Sequence, residues 1–217
     1  MLIASRNSAE QLSPYDAEVE YLESTGTQWI DTGVVPNSTT TEVWLRTLLP
    51  SGSVAVPLFG SRSAANRNAY NAFYYPSEAS YVQNAIRYDF GDASTISIVQ
   101  NLINGVLPGW VVIETGGNNI SIAGDGLDRT VTARLSTASN AFTIYVFAIN
   151  TGGTPTTMQN RIVVSSMQIR VSGVLVRDFI PVRVGNVGYL YDRVSGELFG
   201  NAGTGAFEIG PDKSRSN

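Results

Sequence analysis

The chain has 217 residues, no cysteine, no histidine and a single lysine, Lys213, so 13 of its 14 basic residues are arginine. Charged residues make up 15%, against roughly 25% in an ordinary soluble domain, and the net charge is -4. These counts exclude Ser-His-Asp and Cys-His catalysis, Cys/His zinc sites, thiol redox chemistry and structural disulfides, and they leave no Walker loop. The acidic balance, with arginines scattered at Arg46, Arg62, Arg87, Arg134, Arg170 and Arg193, argues against a nucleic-acid groove.

In chain order, residues 1–16 lack periodicity and read as an irregular arm. Their only apolar stretch is 1–4, too short for the 7–15-residue core of a secretory signal. The longest apolar run, 141–149, is broken by Thr143 and falls far short of the roughly 20 residues that span a bilayer. A soluble chain without an export signal and without membrane insertion is therefore expected. Residues 17–210 read as one domain, which is ample length for a large β-sandwich, and 211–217 as a tail.

Ser, Thr, Asn and Gly supply over a third of the chain, and Val, Ile and Thr its β-branched bulk. Period-two alternation recurs where helical spacing does not. In 41–49, Val43, Leu45 and Leu49 oppose Glu42, Trp44 and Arg46. In 129–135, Val131, Ala133 and Leu135 oppose Thr130, Thr132 and Arg134. In 164–171, Ser165, Met167, Ile169 and Val171 oppose Ser166, Gln168 and Arg170. Each predicts an antiparallel strand with one buried and one wet face. The run 141–149 is apolar on both faces and predicts a central strand covered on both sides. Turn chemistry separates these runs: Pro50-Ser-Gly, Gly116-Gly-Asn-Asn, Gly124-Asp-Gly, Asn150-Thr-Gly-Gly, Ser172-Gly173 and Ser195-Gly196. The expectation is an all-β, two-sheet antiparallel jelly-roll sandwich.

The segments VEYLESTGTQWIDTG (19–33), LVRDFIPVR (175–183) and VGYLYDRVSGELFGNAGTGAF (187–207) carry a resemblance. Together with LFGSR (58–62) and RYDFG (87–91), they are similar to a family of concanavalin-A-like, laminin-G-like domains of bacteriophage structural proteins and gut-bacterial surface proteins. The resemblance implies the concanavalin-A-like lectin/glucanase fold, with the first and last strands close together. It also implies a non-catalytic role as a virion decoration or fibre-associated module, or as a carbohydrate-binding adhesin. Partners on that reading are other virion or surface-assembly proteins, copies of the chain itself, and glycans; no cofactor is called for.

A glycosidase reading falls on Glu18, Glu20 and Glu23. Laminarinase-like hydrolases on this fold read Glu-x-Asp-x-Glu or Glu-x-Asp-x-x-Glu, whereas here the four-residue spacing meets Leu22 or Ser24, and Glu20 stands where the bulged pattern needs Asp. Asp125 and Asp128, in GDGLD (124–128), are weak calcium candidates that read more simply as a hairpin turn. Asp31 and Asp178 read as structural carboxylates, and Asp178, on an apolar strand face, calls for an arginine partner. The glycine-rich 200–205 has no following Lys-Ser/Thr and reads as a loop. The candidate binding surface is aromatic and amide-rich: Trp44, Tyr70, Asn71, Tyr74, Tyr75, Tyr81 and Tyr88. Sugar C–H faces stack on such rings, and Trp44 sits on the polar side of its strand, where a core-filling role is weakest.

Overall fold

The computed structural model describes residues 13–37, 39–52, 54–65, 67–76, 85–91, 96–99, 109–116, 119–124, 126–132, 140–156 and 161–214. Among them the structure is all-β, with two sheets packed face to face as a jelly-roll-like sandwich. No helix there is long and apolar enough to cross a membrane.

The larger sheet runs, in spatial order, β11 (Leu127–Thr132), β10 (Asn119–Gly124), β9 (Trp110–Gly116), β4 (Thr41–Leu48), β15 (Ile162–Val171), β16 (Val174–Val184), β17 (Val187–Asp192) and β18 (Glu197–Phe199). At one end β1 (Ala17–Glu18) pairs with β16, and β2 (Leu22–Ser24) lies between β15 and β19 (Glu208–Ile209). The smaller sheet runs β14 (Thr154–Thr156), β13 (Ile149–Thr151), β5 (Val56–Arg62), β6 (Ala69–Tyr75), β7 (Ala85–Gly91) and β8 (Ile96–Val99). There β12 (Tyr145–Val146) pairs with both β5 and β3 (Ile30–Asp31).

The core between the sheets follows from alternation. Val43 and Leu45 of β4, Val111 and Ile113 of β9, Ile120 and Ile122 of β10, and Met167 and Ile169 of β15 face Leu58, Tyr70, Tyr74, Ile86 and Tyr88 of the smaller sheet. A second cluster of Ala55, Phe73, Tyr75, Ala85 and Ile149 covers the far side of β6. The smaller sheet is thus apolar on both faces, the larger on one.

Two strands depart from the simple pattern. On β15, Ile162 and Val164 are buried, and then Met167 and Ile169, because the pairing with β4 shifts between Val164 and Ser166. Ser165 is the extra residue of a β-bulge, buried as a bond partner of Arg46 rather than as part of the inward row. The run 141–149 is buried throughout 144–149, as its composition predicts, but it is not one strand. β12 runs antiparallel to β5, the chain reverses at Phe147 with φ 69°, and β13 returns parallel to β5. A bulky residue in the left-handed region is strained; packing against Phe207, with ring centroids 4.8 Å apart, offsets the cost. The strand expected over 129–135 is the outer β11, exposed over most of its length, with Val131 half-buried; Ala133, Arg134 and Leu135 lie outside the described residues.

The termini meet, as the resemblance implies. Leu22 and Glu23 pair with Ile209 and Glu208, and Arg161 bridges both glutamates. The contacts run past the expected domain limits: Asp16 donates its backbone N–H to the Arg183 carbonyl at 2.9 Å, and Arg183 holds Asp212 through two hydrogen bonds. The glycine-rich loop straps the first strands down. Ala202 N–H donates to the Trp29 carbonyl at 2.8 Å, and a Cβ on Gly203 would overlap the Thr27 carbonyl oxygen. Under this strap Trp29 stacks on Tyr145 with ring centroids 4.0 Å apart.

Candidate functional site

The structure divides the expected aromatic surface in two. β6 and β7 are interior strands of a sheet covered on both sides, so Tyr70, Tyr74 and Tyr88 point into the core, and Asn71 and Tyr75 are buried on the opposite face. These five residues therefore do not form a binding surface; the apolar packing on both sides of β6 and β7 corrects that expectation. Tyr81 lies outside the described residues. Trp44 alone of the set stands on an outer face.

The buried tyrosines carry two stability predictions. Tyr70 donates its hydroxyl to the Thr41 carbonyl at 2.9 Å and lies beside the Thr115 hydroxyl at 3.2 Å, while the Tyr88 hydroxyl finds no partner among the described residues. Tyr70→Phe is expected to cost about 1–2 kcal/mol in urea unfolding, and Tyr88→Phe nothing or a slight gain. Equal losses in the two variants would contradict this reading. Burial also raises all three phenols above their ordinary range, Tyr74 to about 12. Their folded pKa values exceed the unfolded value near 10, so this source of stability is whole below pH 10 and is lost progressively above it, through about 12 for Tyr74 and at still higher pH for Tyr70 and Tyr88. A base titration should show the last phenolates forming together with loss of far-ultraviolet dichroism; full ionisation near pH 10 with the fold intact would refute it.

Around Trp44 the site is built by register. Alternation sends Glu42, Trp44 and Arg46 of β4 outward, with Glu114 and Gly116 of β9, Asn119 and Ser121 of β10, Thr130 of β11, and Gln168 and Arg170 of β15. Pairing then aligns Thr130, Ser121, Glu114, Trp44 and Gln168 in one row across five strands. The neighbouring row sets Asn119, Gly116, Glu42 and Arg170 side by side. Together they line an open groove of about 560 Å³, within the size range of small-ligand sites. Gly116 makes room for it: a Cβ there would sit 3.0 Å from the Cγ of Glu42, which leans over β9.

The groove combines fixed and free polar groups. Gln168 donates from Nε2 to Asp178 at 3.1 Å, and Arg193 holds the other oxygen of that carboxylate at 2.8 Å. Arg193 is thus the partner that Asp178 was expected to need. Arg46 donates to Ser165 and lies 4.8 Å over the ring of Trp110, outside the lining of the groove. Arg170 turns to the Gly173 carbonyl at 3.5 Å. By contrast, the Trp44 indole N–H and the Glu42 and Glu114 carboxylates make no hydrogen bond or ion pair among the described residues. The half-exposed indole and the two exposed carboxylates are thus available to a ligand.

The remaining candidates are dispersed. Glu18, on β1, lies 3.8 Å from Lys213 and accepts from Tyr15, whereas Glu23, on β2, pairs with Arg161 at 3.1 Å. Glu20 is exposed between them, so the three engage no common partner. Asp31 accepts from the Gly33 N–H at 2.9 Å and fixes a turn. Asp128 is exposed on β11, and Asp125 lies outside the described residues. Among the described residues no three acidic, His or Cys side chains cluster as a metal site. The sequence pattern placed Glu42, Thr130, Gln168 and Arg170 on wet strand faces but did not join them, and it missed Glu114, Asn119 and Ser121. Strand register was the missing signal.

No family model matches the chain, and no curated protein matches it. A solved structure titled "NanB plus Optactamide" is similar at 14% identity and a TM-score of 0.45. The alignment covers 71% of this chain and 26% of that one, so the chain spans about a quarter of that structure's length.

Proposed function

We propose that the chain is a non-catalytic carbohydrate-binding module whose site is the Trp44 groove. The observation that carries this reading is a half-exposed tryptophan with an unpaired indole N–H, set in a row of polar side chains across five strands. An aromatic face takes the C–H side of a sugar ring, and flanking carboxylate, amide and hydroxyl groups take its hydroxyls. The virion or fibre-associated setting implied by the family resemblance belongs to the same proposal, since a decoration or fibre module can hold glycans without transforming them. A glycan array probed with the wild type and Trp44→Ala tests it. Binding that disappears in the variant supports the reading, and no Trp44-dependent binding at millimolar ligand overturns it.

A further inference from the structure

Resting on the glycan reading of the groove, we infer that its ligand is an uncharged, hydroxyl-rich oligosaccharide lying across the strands, and not a glycan bearing sialic acid, uronic acid or sulfate. Charge carries the first half. Glu42 and Glu114 flank Trp44, one on the same strand and one directly opposite, and neither is neutralised by an ion pair among the described residues. Among the described residues Arg170 is the one cation lining the groove; it stands opposite Glu42, with one guanidinium nitrogen 3.5 Å from the Gly173 carbonyl. An anionic sugar would enter a groove whose described lining carries two carboxylates against one guanidinium.

Ionised carboxylates only accept hydrogen bonds, and a pair of neighbouring sugar hydroxyls is a matching double donor. Ser121, Thr130 and Asn119 add groups that both donate and accept, which suits hydroxyls again. The protein's overall charge of -4 opposes anions at longer range as well.

Geometry carries the second half. The row from Thr130 to Gln168 crosses four strand intervals, about 19 Å at the usual strand spacing. That exceeds one sugar ring several times over, with Trp44 next to the Gln168 end. Along β4 the lining residues reach only from Glu42 to Trp44, a much shorter span than the row across the strands. The ligand axis therefore runs across the strands.

Calorimetric titration of the full chain tests both halves. The probes are cello-, manno- and malto-oligosaccharides of one to six units and lactose, set against oligogalacturonates and sialyllactose. Wild type, Trp44→Ala and the double variant Glu42→Gln/Glu114→Gln are compared, with thermal melts to verify folding. At least one neutral series should bind ten-fold or more tighter than any acidic probe, gain affinity up to three or four units, and lose binding in Trp44→Ala. The double Gln variant should narrow the gap between neutral and acidic probes. Acidic probes bound more tightly, and in a Trp44-dependent way, would overturn this inference while leaving the glycan site standing. Binding that requires added calcium would also overturn it, because the carboxylates would then be metal ligands. If no probe binds in a Trp44-dependent way, this inference and the proposed function fall together.

Discussion

Trp44→Ala is expected to weaken glycan binding about 30-fold or more, the equivalent of about 2 kcal/mol for loss of a central aromatic anchor. Its effect on folding should stay within about 1 kcal/mol, because the ring lies on the outer face of β4 and contributes nothing to the core between the sheets. Trp44→Phe, which keeps an aromatic face and loses the indole N–H, should fall between the two. Trp110→Ala supplies the contrast. Trp110 sits under the Arg46 guanidinium and beside Tyr21, at 6.3 Å between rings, so its loss should lower the melting temperature more than Trp44→Ala does. A Trp44→Ala variant that unfolds, or that binds like wild type, would refute the assignment of this ring to a ligand.

Asp192→Ala is expected to be the most destabilising carboxylate substitution, costing about 3–5 kcal/mol, or roughly 10 °C in melting temperature for a domain of this size. The Asp192 side chain is fully buried and accepts three backbone N–H groups: Asp178 at 2.8 Å, Val194 at 3.1 Å and Ser195 at 3.2 Å. It also faces Arg177 at 3.6 Å. One carboxylate thus ties β16 to β17 and shapes the turn after β17. Alanine would orphan all three donors and leave the guanidinium without its counter-charge. Asn, which keeps one acceptor oxygen, should recover part of the loss. Chemical unfolding of the two variants measures the difference, and an Asp192→Ala loss below 1 kcal/mol would disprove the role.

The fold was largely written in local pattern. In 41–49 the inward and outward residues match the structure position by position, because alternation on a strand with one wet face is a strictly local constraint. The hairpin turns were legible for a similar reason: Ser172-Gly173 and Gly152-Gly153 adopt positive φ at the positions where a two-residue turn needs it. The bulge at Ser165 and the reversal at Phe147 were not legible. Both depend on what a neighbouring strand does, and no residue type in either segment announces the irregularity.

The candidate site divides in the same way. Composition alone removed metal-thiolate, histidine and disulfide chemistry, and the polar side of one strand singled out Trp44. Tyr70, Asn71, Tyr74, Tyr75 and Tyr88 were grouped with it in sequence, because aromatic and amide residues can fill a buried sheet or line a groove, and alternation does not tell one sheet from another. Tertiary structure decided between these when it placed β6 and β7 inside a sheet covered on both faces and β4 in one covered on a single face. It also brought Glu114 of β9 and Gln168 of β15 to either side of Trp44, residues 70 and 124 positions away in the chain. Side-chain alternation is a property of the backbone and can be read along the sequence. Which strands become neighbours is set by the packing of the whole core, and that step turned one exposed tryptophan into a groove.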